Sequence, residues 1–161
     1  MISGATVAER RAGGGFGIRV ASDRVRLPLP AARVRRVVRG ILAGEPGAVR
    51  RAGAGGEVTI TFVGPRRMRA LNGAWKGHDR PTDVLSFALR QPGGGTVADV
   101  YICAAAARSA ARELGLPAAE ELVRLVVHGT LHALGYDHPE GEGRTRSAMW
   151  RRQERYVKAF A

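Results

Sequence analysis

The segment HGTLHALGYDH, residues 128–138, carries three of the four histidines of the 161-residue chain. His128 and His132 are four residues apart, so on an α-helix one imidazole stands a turn above the other and both can point at one ion. Gly135 follows at once. Glycine there suits the left-handed residue that ends a helix and reverses the chain, and His138 can then swing back as a third nitrogen ligand. Three protein ligands and one open position describe a catalytic zinc site, with one Zn2+ per chain, better than a structural site closed by cysteine. The single cysteine, Cys103, cannot supply a thiolate cluster. The alternative is a set of core histidines satisfied by backbone carbonyls. One histidine would favour that alternative, whereas three at HxxxHxxGxxH spacing favour a metal.

The helix that must position the first two reads PAAEELVRLVVHGTLHALG, residues 117–135. Pro117 suits a first turn, and Glu120 and Glu121 lie near the positive end of the helix dipole. From Leu122 to Leu134 only Arg124, His128, Thr130 and His132 interrupt the apolar residues, and a helix apolar almost all round is a buried one. Arg124, His128 and His132 form its polar stripe. The spacing resembles the HExxHxxGxxH of metzincin proteases, so a buried zincin-like metal-binding helix is expected. Gly129 stands where those proteases carry their general-base glutamate, which weakens a peptidase reading. Without that carboxylate, water must be activated by the metal or by a group from elsewhere.

The elements around this helix are legible from their periods. Residues 1–15 read as a flexible N-terminal tail and 16–161 as a single domain with a sizeable core. FGIRVA, from Phe16, suits a first strand. PAARVRRVVRGILAG places Val34, Val37, Val38, Ile41 and Leu42 on one helical face, with Arg33, Arg35, Arg36 and Arg39 mostly elsewhere. Residues 44–56 read as a flexible loop. EVTITFVG alternates Val58, Ile60 and Phe62 inward as a strand, and a short helix runs from Pro65 to about Asn72. Leu85, Phe87 and Leu89 share one face of the next strand, while Val84, Ser86 and Ala88 share the other. QPGGG turns the chain into the strand TVADVYIC. Helices are expected at about 104–114, 117–134 and 142–159, the last with Met149, Gln153, Tyr156, Val157 and Phe160 inward. The order predicts an α+β fold, a small mixed β-sheet wrapped by helices.

Lys and Arg number 26 against 14 acidic residues, for a formal charge of +12. That balance is the electrostatic footprint of a nucleic-acid binder, with a solvated arginine-rich surface as the alternative. One cysteine forms no internal disulfide and fits a reducing cytoplasm. The N-terminal residues have no continuous apolar stretch of the kind that directs export, and no segment is long enough to span a membrane. A cytoplasmic protein without a membrane partner is therefore expected.

LNGAWKGHDRPTDVLSF at 71–87, ADVYIC at 98–103 and VVHGTLHALGYDH at 126–138 together resemble the YbeY family of bacterial zinc-dependent endoribonucleases and ribosomal RNA maturation factors, in order and spacing over about residues 16–160. The resemblance implies a cytoplasmic metalloprotein that acts on single-stranded RNA in small-subunit ribosomal RNA maturation and ribosome quality control. Ribosomal RNA, and the small ribosomal subunit with its proteins, would be its partners; DNA would not. It implies His128, His132 and His138 as metal ligands, and a segment around Lys76 and Ser86 lining an RNA-facing cleft and carrying catalytic roles. The family usually has arginine where Lys76 stands; lysine keeps the charge but lacks the planar bidentate fork for phosphate. The family's Gly-Asp-Ile is here Ala98, Asp99, Val100, which retains the acid.

Other polar residues have structural readings beside the functional ones. His78, next to Asp79, reads as an exposed loop residue rather than a fourth ligand. Asp83, in RPTD, suits turn chemistry better than a base. Ser86 either orients substrate or satisfies backbone. Asp137 is a candidate partner fixing an imidazole, and Met149 reads as core packing. Three functions stay open: a metal-dependent endoribonuclease, a non-catalytic ribosome-assembly factor braced by a structural metal, and, disfavoured by Gly129, a metallopeptidase.

Overall fold

Alternating and helical stretches succeed one another along the chain. The computed structural model, which describes residues 7–9, 15–80 and 82–161, turns them into five strands and six α-helices among those residues. β1 (Val7–Glu9) and β2 (Gly17–Asp23) precede α1 (Ala31–Gly44) and α2 (Pro46–Ala52). β3 (Glu57–Val63) leads into α3 (Pro65–Lys76). β4 (Val84–Arg90) and β5 (Thr96–Cys103) form a hairpin, followed by α4 (Ala104–Leu114), α5 (Ala118–Ala133) and α6 (Ala148–Phe160).

The strands form one mixed sheet in the order β1-β2-β3-β5-β4. β2, β3 and β5 run parallel, while β1 and β4 are antiparallel edge strands. Helix crossovers separate the parallel strands, as parallel pairing requires. The period-two alternation then divides the side chains between the faces. Val58, Ile60 and Phe62 of β3 and Ala98, Val100 and Ile102 of β5 join the main core with residues of α1, α5 and α6. Val63, Leu85 and Cys103 project the other way and pack with Met68 and Leu71 of α3 in a second, smaller core. The fold is α+β, as expected.

α5 lies at the centre of the main core. Leu122, Val123, Val126, Val127 and Leu131 are each at most 3% exposed, and burial of such side chains contributes roughly 1.5–3 kcal/mol apiece. Its C-terminus closes in a Schellman arrangement: Gly135 N–H donates to His132 O (2.9 Å) and Tyr136 N–H to Leu131 O (3.1 Å). The reversal requires φ +88° at Gly135, a value that glycine alone adopts without strain.

Four local readings are corrected. Residues 46–52, read as loop, form α2; Pro46 pre-sets its first turn and Arg50 and Arg51 sit at its C-terminal end. α3 continues past Asn72 through Gly73 to Lys76 and stops at Gly77, whose φ is +69°. The final helix begins at Ala148, with Ser147 Oγ accepting from Trp150 N–H as its cap (3.0 Å), and a single 3-10 turn occupies Arg144–Arg146. Within the stretch read as a tail, Val7–Glu9 pair with Ile18–Val20; residues 1–6 and 10–14 of that stretch lie outside the described residues.

Candidate metal centre

α5 presents His128 and His132 on one face, and the turn at Gly135 returns His138 to them. The ring centroids are 4.6 Å apart for His128 and His132 and 5.1 Å for each of the other two pairs. One nitrogen of each ring lies within 4.8 Å of the other two.

The other nitrogen of each ring is already engaged. His128 Nδ1–H donates to the Gln153 side-chain oxygen (2.8 Å), His132 Nδ1–H to the Tyr136 carbonyl (2.9 Å), and His138 Nδ1–H to the Pro139 carbonyl (3.0 Å). Acceptors at all three Nδ1 atoms fix one tautomer and leave a lone pair on each Nε2. His138 Nε2 is buried without a hydrogen-bond partner among the described residues. Convergent lone pairs, each ring oriented by an oxygen behind it, could hold a metal ion. Burial is the main reason that the pKa of His128 is depressed to about 4, and burial lowers that of His132 too, with a contribution from the Lys76 ammonium. Both rings are thus neutral at pH 7, the form that ligates metal.

A second set of contacts holds this geometry from outside. Gln153 is 2% exposed on α6 and donates through Nε2 to Glu154 (3.1 Å), which aims its oxygen at His128. Tyr136, whose carbonyl orients His132, anchors its hydroxyl on Glu45 (2.5 Å). Glu45 also accepts from Tyr156 (2.9 Å) and Arg155 (3.1 Å). Burial raises the Glu45 pKa, but the two phenols with Arg152 and Arg155 outweigh it and hold it below the ordinary carboxylate value. Sequence reasoning placed Gln153 on an inward stripe without giving it this role, although a lone amide among core residues is itself a signal. Glu45 lies 91 residues from Tyr136, and no local pattern links them.

Gly129 has a steric explanation. A Cβ there would collide with Val100 Cγ1 and come within 3.2 Å of Ser86 Oγ. α5 approaches the sheet too closely at this point for any side chain, a glutamate included.

Lys76 and Ser86 border the same cleft of about 230 Å3 as His128 and His132, with Phe87 beside them. The cleft lies over the outer edge strand β4. Ser86 projects toward α5 and donates to Gly129 O (3.3 Å), while Lys76 reaches in from the C-terminal end of α3. Asp99 is on β5, on the face opposite Ala98 and Val100, and does not line this cleft. His78 is exposed. Asp79 is held by Arg69 in a two-point pair of 2.8 Å bonds. Asp83 accepts from Val84 N–H (2.8 Å) and from Thr82, which is turn chemistry. Asp137 is 87% exposed and 3.9 Å from His132, so the orienting partner is the neighbouring Tyr136 carbonyl. Met149 is 2% exposed in the main core.

The chain is similar to known proteins over most of its length. The family profile Endoribonuclease YbeY matches residues 21–161. A protein of that name from Geobacillus thermodenitrificans is 39% identical over 127 residues, 72% of this chain and 80% of the relative. Another from Sulfurihydrogenibium is 45% identical over 89 residues, 53% of this chain and 59% of the relative. One from Persephonella marina is 41% identical over 90 residues, and there too the match spans 59% of the relative's length. A solution structure of a Thermotoga maritima protein superposes with a TM-score of 0.55 at 27% identity, covering 88% of this chain and 87% of the other. With most of its length matched in sequence and its three imidazoles brought together by the fold, the chain belongs to the Endoribonuclease YbeY family.

Proposed function

We propose that the protein is a metal-dependent endoribonuclease that cleaves single-stranded RNA, with zinc held by His128, His132 and His138. Its cellular substrate in this reading is small-subunit ribosomal RNA, processed in the cytoplasm during ribosome maturation and quality control. The observation that carries the proposal is the buried, unpartnered Nε2 of His138 beside two further imidazoles whose Nδ1 atoms are occupied. The formal charge of +12 suits a polyanionic partner, and no helix among the described residues is long and apolar enough to cross a membrane.

When bound, the ion supplies Lewis acidity toward a phosphoryl oxygen and water acidified to a pKa of about 7. The protein's own groups do the rest. The Lys76 ammonium borders the cleft and stabilises charge that builds on the scissile phosphate. Ser86 commits its proton to Gly129 O, so its oxygen accepts from a ribose hydroxyl and positions the strand. The absence of any side chain at Gly129 speaks against peptidase chemistry of the glutamate-assisted type.

Purified protein is incubated with single-stranded and duplex RNA and with a peptide library, with and without chelator. Single-stranded RNA alone should be cut, and chelation should stop the reaction. Lys76→Arg should keep or raise cleavage, since guanidinium adds a second directed hydrogen bond. Lys76→Ala should lower turnover more than RNA affinity. An activity unaffected both by chelation and by Lys76→Ala would leave the ribosome-assembly factor with a structural metal as the reading.

A further inference from the structure

Trp75 is 68% exposed, although a tryptophan side chain normally buries most of its large apolar surface. Its position is not accidental to the cleft. It immediately precedes Lys76 in the last turn of α3, and its ring stacks at a tilt on Phe87, with centroids 5.2 Å apart. Phe87 packs edge-on against Tyr101 at 6.2 Å, and both rings rest on the small core beneath α3. Phe87 is also a wall of the cleft that holds Lys76, His128 and His132. A three-ring ladder therefore runs from the sheet to the surface: Trp75, its outermost member, is open to solvent, and Phe87 beneath it borders the cleft of the candidate metal centre.

We propose that Trp75, supported by Phe87, is a stacking platform for an unpaired base of the RNA strand next to the phosphate in the cleft. The inference rests on the endoribonuclease reading and adds how the strand is gripped. Every nucleobase offers a π-face, so a rigid exposed indole binds single strands without regard to sequence, whereas a base held in a duplex is not available to it. The neighbouring charge favours this occupant. Lys76 and Arg80 are exposed cations on either side of the α3 C-terminus, and Arg80 is on a loop pinned by Asn72 Nδ2–H donating to the Arg80 carbonyl (2.7 Å). Arg69 is the contrast: its guanidinium is spent on Asp79. The cleft that Phe87 walls also presents the Lys76 ammonium and two imidazoles, His128 and His132, which suits a phosphate-bearing strand better than the apolar face of a protein helix.

The chain has two tryptophans, which makes the proposal readable by fluorescence. Trp150 is partly buried beneath the Arg144 guanidinium, 6.0 Å from its ring centroid. In a Trp150→Phe protein, a short 2′-O-methyl oligoadenylate should quench the remaining Trp75 emission saturably. In the full chain, Trp75→Ala should weaken binding of that oligonucleotide by about 5- to 100-fold. The slope of log affinity against log salt should stay unchanged, because no phosphate contact is removed. Trp75→Phe should recover most of the loss. An abasic nucleotide at the stacked position should weaken the parent but not Trp75→Ala. Because Trp75 is mostly exposed, the melting temperature of Trp75→Ala should match the parent and exclude misfolding as the cause. If the parent binds RNA and Trp75→Ala binds it equally well, or the loss comes with a shallower salt slope, the platform is wrong while the nuclease reading stands. If the parent binds no RNA, the nuclease reading itself falls, and the platform with it.

Discussion

Arg124 and the two helical histidines share one stripe of α5, yet the protein uses them oppositely. Arg124 spends its guanidinium inside the fold. It donates to Glu121 (2.7 Å), Glu120 (2.9 Å) and Glu154 (3.2 Å). Burial works against its charge, but these carboxylates more than offset burial and raise its pKa above the ordinary arginine value. His128 and His132 satisfy one ring nitrogen each and leave the other bare. A buried polar residue whose hydrogen-bonding capacity is consumed holds structure, and one with half its capacity aimed into a shared space is available to a ligand. The two ends also communicate, since Glu154 accepts from both Arg124 and Gln153, and Gln153 accepts from His128.

The sharpest way to break this comparison is to remove one residue from each end. His132→Ala should reduce bound zinc from about one per chain to near zero and lower RNA cleavage by at least about 10²-fold. Elemental analysis of the purified variant checks the first, and a gel assay on single-stranded RNA the second. Undiminished stoichiometric metal would remove His132 from the site. Arg124→Ala should do the reverse. Its side chain is 16% exposed, and its loss leaves three carboxylates without their common cation, for a destabilisation of about 3 kcal/mol in a denaturant titration. Near-stoichiometric zinc should remain. If Arg124→Ala lost its metal as completely as His132→Ala, the stripe would have one function rather than two.

The link between the ends gives a smaller effect. Gln153→Leu keeps the size of a core residue but removes the oxygen that orients His128. Zinc affinity, measured by competition with a chromophoric chelator, should fall by about 10- to 100-fold. An affinity equal to the parent's would mean that packing alone orients the ring.

How much of this was legible in the sequence differs between the same regions. The histidine end was readable because its information is local: a helical spacing of four, a glycine that reverses the chain, and a third imidazole three residues on. The strands were readable for the same reason, since Val58, Ile60 and Phe62 declare a buried face by alternation alone. α2 was hidden because only seven residues make the helix and glycines on both sides mask it. The Arg124 cluster was half visible. Glu120 and Glu121 are within one helical turn of it, but Glu154 comes from α6. Tyr136 and Glu45 were invisible as partners, because their contact exists only once α1 packs beside the turn after α5. Asp137 was a reasonable orienting candidate by sequence proximity, yet the carbonyl one residue earlier is the closer acceptor.

Glu45 sharpens the comparison further, because it resembles Arg124 in being consumed but supports the ligand end. Its carboxylate holds the Tyr136 hydroxyl, and the Tyr136 carbonyl holds His132. A carboxyl group whose pKa is lower in the folded than in the unfolded chain adds stability that is fully present above the unfolded value and is lost as pH falls through the folded one. Glu45→Gln retains one acceptor oxygen but replaces the other with an N–H donor and removes the charge that Arg152 and Arg155 face. At pH 7 the variant should be less stable by about 1–2 kcal/mol, with zinc affinity reduced by less than about tenfold, since the Schellman turn still holds the Tyr136 backbone. The gap between parent and variant should narrow on acidification below the ordinary carboxylate range, because protonated Glu45 gives up the charge that glutamine never had. Denaturant midpoints of both proteins across pH 3–7 test this, and taking the difference cancels the titration of groups that they share. A gap that stayed constant through the acid range would show that shape at residue 45, rather than its charge, anchors Tyr136 behind the histidine cluster.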